Sequence, residues 1–349
     1  MNKWKELLIH QSYTILDAMK VLDRIGLQIV IVVDADQRLQ GIITDGDIRR
    51  AILKGVDLSE SVMEVMNRNP IVLKHGADPR TINRRLKEKN LRHVPVLDEN
   101  NRIIDLKLSE GSLNRKIYDN LIVLMAGGLG TRLRPLTDEI PKPLLKVGEK
   151  PILETIIQNF YEYGFRNFAI SVNYKKELIK HHFGDGSDFG VSITYLEEDK
   201  RLGTAGALSL ITEKSTMPMI VMNGDLLTKV NFEQLLYFHG ENNSQATICV
   251  REYEYQVPYG VIKTRNQQLI AIEEKPIERY FVNAGIYVLN PTVLEMIPPN
   301  TFFDMPELFE RLIKENEDAL VYPVREYWMD IGRLADYEQA NAEYRSLFL

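Results

Sequence analysis

The sequence predicts an α/β protein in two parts, on three observations. A helix–strand–turn–strand–helix pattern occurs twice within residues 1–116. After residue 120, short β-branched strands alternate with helical segments, the spacing that builds a mostly parallel sheet. The first of those strands runs directly into a glycine-rich turn at Gly127, Gly128 and Gly130. The first part is therefore expected to be an α+β module of two repeats, about 1–60 and 61–116, and the second, 120–349, an α/β domain. A chain of 349 residues supports two cores better than one.

In the first repeat, Ile15 to Ile25 has helical apolar spacing, Gln28 to Val33 reads as a strand, Asp34 to Arg38 turns, and Gly41 to Thr44 leads into a helix at Asp47 to Leu53. In the second, Thr81 to Lys89 is helical, His93 to Leu97 is the strand and Asp98 to Asn101 the turn. Ile103 to Leu108 then matches Ile42 to Thr44. The basic residues Arg80, Arg84, Arg85, Lys87, Lys89 and Arg92 read as a solvated helix face. Asn114 to Asn120 is expected to be a polar hinge. Beyond it, strands at Leu121 to Met125, Phe168 to Val172, Met219 to Met222 and Ala246 to Val250 alternate with helices at Ile152 to Tyr163 and Phe232 to His239.

Composition narrows the class. With 44% apolar and 26% charged residues the chain is an ordinary globular protein. Its net charge of −6 gives no overall attraction to a polyanion, so nucleic acid is not expected as a partner and any phosphate chemistry must use local cations. Cys249, the single cysteine, has no mate for a disulfide or a zinc site and is expected in the core. No stretch is apolar for long enough to cross a bilayer, and the first residues lack an apolar targeting segment. A cytoplasmic protein without a membrane partner is expected. His181 and His182, beside the Gly184-Asp185-Gly186 loop, read as surface residues.

The segment from Leu121 to Thr137 carries the most chemistry. Gly127, Gly128 and Gly130 let bare backbone N–H groups approach phosphate, and Arg132 adds a permanent forked cation. The run has neither a Walker A ending nor the spacing of a dinucleotide fingerprint. Pro141-Lys142-Pro143 then holds one lysine between two prolines, which limits where its ammonium can reach.

Together G-G-x-G-T-R-L-x-P-L-T and P-K-P-L strongly resemble the sugar-nucleotidyltransferase family, over roughly residues 120 to 345. The resemblance implies a Rossmann-like nucleotidyltransferase domain, with Leu124, Ala126, Gly127, Gly128, Gly130 and Thr131 lining the nucleotide. Leu202-Gly203-Thr204-Ala205-Gly206 looks like the base-contacting turn, which adds Gly203, Thr204 and the preceding Glu198. Asn223-Gly224-Asp225 and Trp328-Met329-Asp330 look like the two metal-binding segments, implying magnesium on Asp225 and Asp330. Taken singly, Asp225 could be a turn aspartate and Asp330 a helix cap near Arg333. Gly260, Glu274, Lys275 and Asn283 fall in stretches that resemble the sugar-phosphate segment. Arg132 and Lys142 would carry catalysis.

What the resemblance implies is in-line transfer of a nucleotidyl group from a nucleoside triphosphate to a sugar 1-phosphate. Glu198 falls where thymidylyl- and uridylyl-type members tend to carry glutamine. A carboxylate only accepts, and guanine offers two adjacent donors, which favours GTP. The nearest resemblance is to guanylyltransferases of bacterial surface-sugar pathways, including those acting on glucosamine 1-phosphate. A uridylyl- or thymidylyltransferase and a non-catalytic sugar-nucleotide sensor are the alternatives.

Residues 1–116 resemble a tandem pair of cystathionine-β-synthase-type (CBS) repeats, which implies AMP, ADP or ATP as ligand. Thr44-Asp45-Gly46-Asp47 matches the family's ligand motif, placing Thr44 and Asp47 on the nucleotide; the matching stretch Asp105 to Glu110 lacks both residue types. The competing expectation is that the pair only drives assembly. A homo-oligomer is expected.

Overall fold

In the computed structural model the chain divides into two compact units, Met1–Lys116 and Ile117–Leu349. Residues 3–25, 29–74, 93–108, 117–212 and 215–348 are described.

The first unit builds the same sheet twice. β1 (Leu8–His10) runs parallel to β2 (Ile29–Val33), which pairs antiparallel with β3 (Leu39–Thr44). In the second repeat β4 (Leu73–Lys74) runs parallel to β5 (His93–Leu97), which pairs antiparallel with β6 (Ile103–Leu108). The turns are also alike: Asp34 Oδ1 accepts the Asp36 and Arg38 N–H groups at 2.9 Å, and Asp98 Oδ1 those of Asn100 and Arg102 at 2.8 Å. Reciprocal bonds then join the turns, Leu39 N to Asn101 O at 3.0 Å and Ile103 N to Gln37 O at 3.4 Å, so the repeats meet about a local twofold. Every side chain of β2 is buried: Val30 and Val32 pack with helices α1 (Ile15–Ile25) and α2 (Asp45–Leu53), while Ile29, Ile31 and Val33 pack with Leu97, Ile103 and Leu106. Gln28, the expected helix Thr81 to Lys89, the basic residues from Arg80 to Arg92, and Asn114, with Ser109 and Glu110, lie outside the described residues.

The second unit begins with β7 (Tyr118–Met125). This corrects the hinge expected through Asn120: Tyr118 stacks on Phe165 at 4.8 Å, and Asn120 Nδ2 donates to Pro218 O at 2.7 Å. The polar look of this stretch hides two inward-facing side chains whose polar atoms find partners. After a small hairpin of β8 (Lys146–Val147) and β9 (Lys150–Pro151), the chain forms α3 (Ile152–Glu162), β10 (Phe165–Val172), α4 (Lys176–Phe183), β11 (Ser192–Glu197), the short α5 (Gly203–Gly206) and β12 (Met219–Asn223). There follow β13 (Leu226–Thr228), α6 (Phe232–Glu241), β14 (Ala246–Gln256), β15 (Gly260–Arg265), β16 (Gln268–Glu274), β17 (Ile277–Leu289), α7 (Met305–Lys314), β18 (Ala319–Val324), β19 (Trp328–Asp330) and α8 (Leu334–Phe348).

The central sheet has seven strands in the order β11-β10-β7-β12-β17-β14-β18, parallel except where β17 meets its two neighbours. Both faces are covered, as a mostly parallel sheet requires. Ile122 and Leu124 point into a core with Ile156 and Phe160 of α3, while Val123 between them points into a second core with Leu308 and Leu312 of α7. α7 shows why its sequence folds there: Met305, Leu308, Phe309 and Leu312 form one buried stripe, and Asp304 with Glu307 makes a capping box at its start. Cys249 is buried, as its alternating run predicts. No helix among the described residues is long and apolar enough to cross a membrane.

Candidate active site

The sheet itself nominates the site. From β7 the chain moves outward to β10 and β11, then returns to place β12 on the other side of β7. Strand order reverses there, and in such sheets ligands bind outside the carboxyl ends at the reversal. Met125 ends β7 and Asn223 ends β12, and Gly224 N donates to Met125 O at 2.9 Å, which joins the two strand exits. A Cβ on Gly224 would lie 2.9 Å from that carbonyl oxygen, so the close approach needs glycine.

The glycine-rich turn leaves β7 at Ala126, whose N–H donates to Ser171 O at 2.9 Å. Leu124 and Ala126 are fully enclosed, so their side chains anchor the turn in the core. Gly128 and Thr131 are exposed, and Gly130 takes a φ of 65° with its carbonyl held by the Thr137 hydroxyl at 2.9 Å.

Four charged groups gather beside this turn. Asp225 follows β12, and β13 then pairs antiparallel with β19 in a register that sets Leu226 opposite Asp330. Ile331 N donates to Asp225 O at 3.1 Å, which fixes the two aspartates side by side although they are distant in sequence. Lys142 Nζ donates to Asp225 Oδ2; the lysine side chain is 10% exposed and the aspartate 27%. Arg132 lies beside Asp330. A Cβ on Gly332 would stand 3.2 Å from Arg132 Nη1 and 3.4 Å from Asp330 Oδ2, so arginine and aspartate share the space which that glycine leaves open.

Burial and, next, the like charge of Asp225 hold the Asp330 carboxyl above its ordinary value, against the opposing pull of Lys142 and Arg132. Two adjacent oxygen donors that repel each other are a fit for a divalent cation. Among the described residues no cluster of three His, Cys, Asp or Glu side chains that could hold a metal ion is found. Asn223 Oδ1 at the same strand exit is buried without a hydrogen-bond partner among the described residues. Asn223 and Gly332 stand in or beside the two segments expected to bind metal, but sequence reasoning gave neither a role of its own.

On the far side of the turn, Glu198 is buried; its Oε1 accepts the Ser171 hydroxyl at 2.5 Å and its Oε2 the Leu202 N–H at 2.8 Å. A Cβ on Gly127 would come within 2.7 Å of Glu198 Oε1, so the glycine and the carboxylate require each other. Gly203 takes a φ of 81° against Phe303. Thr204 is engaged with α7: its N–H and hydroxyl both meet Asp304 Oδ1, at 2.8 and 3.0 Å, and its oxygen accepts Met305 N–H at 2.9 Å. Neighbouring Glu197 accepts from Lys176 and Lys180, and those bonds hold its carboxyl down at about 2.

Asn283 belongs with the central group. Its Oδ1 accepts Gly285 N–H at 2.9 Å, a Cβ on Gly285 would sit 2.7 Å from Asn223 Nδ2, and the Trp328 indole ties β19 to Ala284 O at 2.8 Å. Asn283 Nδ2 in turn donates to the Tyr287 hydroxyl at 2.7 Å. Gly260, Glu274 and Lys275 lie elsewhere, on the hairpin of β15 and β16, where Gly260 pairs with Glu274 and all three are exposed. No hydrogen bond or ion pair among the described residues joins them to Arg132, Lys142, Asp225 or Asp330.

In the first unit Thr44 and Asp47 hold each other. Asp47 Oδ2 accepts the Thr44 N–H at 2.8 Å and hydroxyl at 2.6 Å, a capping box that starts α2, while Oδ1 takes Arg50 Nη2 at 2.7 Å.

Residues 121–346 match the family model described as nucleotidyl transferase, and residues 3–54 and 62–106 match the CBS domain. A mannose-1-phosphate guanyltransferase of Yarrowia lipolytica is 35% identical over 232 residues, covering 64% of each chain. The mannose-1-phosphate guanyltransferase of Schizosaccharomyces pombe is 34% identical over 233 residues, again 64% of each chain. HddC from Yersinia pseudotuberculosis superposes with a TM-score of 0.51 at 25% identity, over 64% of this chain and 99% of that one. The present chain thus spans about 64% of the length of the curated relatives it matches. With the glycine turn, the reversal in strand order and the paired aspartates all falling inside residues 121–346, the chain belongs to the nucleotidyl transferase family and carries a tandem CBS pair ahead of that domain.

Proposed function

We propose that this chain transfers a nucleotidyl group from a nucleoside triphosphate, GTP before others, to a sugar 1-phosphate. One observation carries the reading: Arg132, Lys142, Asp225 and Asp330 converge at the strand exits beside an open glycine turn. An oxygen of the sugar phosphate attacks the α-phosphorus, the bond from that phosphorus to the β-bridging oxygen breaks, and pyrophosphate leaves. No side-chain nucleophile is required; alignment and charge neutralisation suffice.

The backbone N–H groups from Gly127 to Thr131 receive the triphosphate, with Arg132 on its β- and γ-phosphates. Lys142 moves its ammonium from Asp225 to the α-phosphate. Asp225 and Asp330 would hold magnesium, which neutralises phosphate charge when bound. Lys275 and Glu274, with Gly260 and Asn283, serve the sugar phosphate. Glu198 reads the base. Its two internal bonds occupy one lone pair on each oxygen and leave another on each, enough to accept N1–H and N2–H₂ of guanine. The names of the curated relatives support the guanylyl choice and make mannose 1-phosphate the first sugar to try; glucosamine 1-phosphate and its N-acetyl form come next. The CBS pair binds AMP, ADP or ATP through Thr44 and Asp47, and the second unit responds.

The test is pyrophosphate release across a matrix of GTP, UTP, dTTP and ATP against several sugar 1-phosphates, with and without magnesium. Release with UTP or dTTP alone moves the reading to a uridylyl- or thymidylyltransferase. No magnesium-dependent release in any cell of the matrix makes the domain a non-catalytic sensor.

A further inference from the structure

The exit of β10 lies between the two halves of the site, and its side chains bond to both. On one side Asn173 Nδ2 donates to Glu198 O at 2.9 Å, next to the Ser171 hydroxyl that holds the same residue's carboxylate. On the other, the Tyr174 hydroxyl donates to Thr137 O at 3.3 Å and Lys175 Nζ to Asp138 O at 2.6 Å. The Lys175 ammonium also lies 5.6 Å from the centre of the Tyr174 ring, so these two arms brace each other. Thr137 is enclosed, and its hydroxyl is the one that holds the Gly130 carbonyl. A Cβ on Gly130 would stand 2.9 Å from Thr137 Cγ2 and 3.2 Å from Lys142 Cβ, so a displacement of Thr137 is felt by the glycine turn and the lysine together.

We infer that Asn173, Tyr174 and Lys175 form a clamp of positioning residues, which fixes the span between the base subsite at Glu198 and the triphosphate subsite from Gly127 to Arg132. The backbone of Lys175 speaks for a purpose beyond folding. Its φ of 50° falls in the left-handed region that lysine rarely adopts, and it stands at the start of α4 without a side-chain capping bond. Asparagine would serve the local chain better on both counts. Strain of this kind persists where surrounding contacts demand it, and here the ammonium is bonded to the loop that carries Arg132. Two successive side chains also reach that one loop, whereas an extended chain would send them to opposite sides. A nucleoside triphosphate engages both subsites, so its second contact is intramolecular, and the strength of that contact depends on how narrowly the span is held. The assignment of the two ends to base and triphosphate rests on the function proposed above.

The test separates the whole ligand from its parts. Isothermal titration calorimetry on the full chain, at fixed magnesium and without sugar phosphate, compares the nucleoside triphosphate that the wild type binds most tightly with its monophosphate and with tripolyphosphate. In Tyr174→Phe/Lys175→Asn the Kd of the triphosphate should rise at least about tenfold, while those of the two fragments change by less than about twofold. Tm should hold or rise, because asparagine suits both the left-handed backbone and the helix start. Lys175→Arg in place of Lys175→Asn keeps a cation able to reach Asp138 O and should recover part of the lost affinity. Where the wild type binds a triphosphate, an unchanged Kd in the Phe/Asn variant overturns the clamp alone, and so do parallel losses for all three ligands, which a merely structural role would give. Wild type that binds no nucleoside triphosphate overturns the proposed function and the clamp with it.

Discussion

The molecule uses aspartate in two opposite ways. In the first unit Asp17 and Asp47 each stand three residues after a threonine that starts a helix, and each is satisfied at once: Thr14 donates its hydroxyl to Asp17 at 2.7 Å, and Thr44 donates to Asp47 at 2.6 Å. The Thr14 bonds hold the Asp17 carboxyl below its ordinary value. In the second unit Asp225 and Asp330 are brought together by β-pairing, and the pair is unfavourable enough to hold Asp330 above its ordinary value. A carboxylate whose lone pairs are consumed by its own helix stabilises the fold. Two carboxylates set against each other cost stability, a cost that Lys142 and Arg132 offset in part.

The contrast is tested most severely at Asp225. Asp225→Ala should reduce turnover by on the order of 10³-fold, whereas thermal melting should move little, because the residue is partly exposed and its backbone carbonyl still receives Ile331. A melting temperature that collapses along with activity would make Asp225 a structural residue like Asp47. The next largest effect concerns Lys142, which is ion-paired with Asp225. Lys142→Met should also lower turnover, yet it should tighten the binding of manganese alone, measured by electron paramagnetic resonance. A unit charge about 4 Å away is worth about 1 to 4 kcal/mol between water-like and protein-like dielectric, so the gain should be at least about fivefold. Unchanged or weaker manganese binding would mean that the lysine does not compete with the ion.

Asp330 separates function from stability with a definite sign. A carboxyl whose folded-state pKa lies above its unfolded value opposes folding once ionised; the cost is absent below the ordinary value of 3.8 and full above the raised one. Asp330→Asn should therefore lose activity and gain melting temperature at pH 8, with the gain fading as the pH approaches 4. Glu197 runs the other way. Held at about 2 by Lys176 and Lys180, it contributes stability above the ordinary 4.5 that is lost as pH falls toward 2, and Glu197→Gln should narrow the acid side of the profile without touching turnover.

Much of this was legible in the sequence where chemistry is local. Glycines, prolines and an apolar strand mark the turn from Gly127 to Lys142, and the double pattern in the first unit reads directly as paired sheets. What was not legible depends on contacts between distant short segments. β13 and β19 are three residues each, too short to show a period, yet their pairing alone joins Asp225 to Asp330. Sequence left Asp330 open as a helix cap; the structure gives that work to Asp336, whose Oδ2 accepts Arg333 N–H at 2.8 Å. The paired extension of β14 and β17 beyond β18 escaped notice for a different reason. Alternating Tyr and Glu from Glu252 to Tyr255 has the period of a half-buried strand, and nothing local reveals that neither face is buried.

The smallest expected effect decides what Asp47 is for. Losing a helix cap typically costs about 1 kcal/mol, so Asp47→Ala should lower the melting temperature by a few degrees with no ligand present. Thr44→Val removes the hydroxyl half of the same box but leaves the Thr44 N–H on Asp47, so it should cost less, and the double variant should cost no more than Asp47→Ala alone. Adenylate binding must then be read as the rise in melting temperature that AMP or ATP adds to each variant, since the ligand-free value already carries the cap. A rise retained in full by Asp47→Ala confines the residue to starting α2. A rise abolished by Asp47→Ala but kept by Thr44→Val shows that the carboxylate leaves its threonine for the nucleotide, as Lys142 leaves Asp225 for phosphate in the mechanism proposed for the second unit.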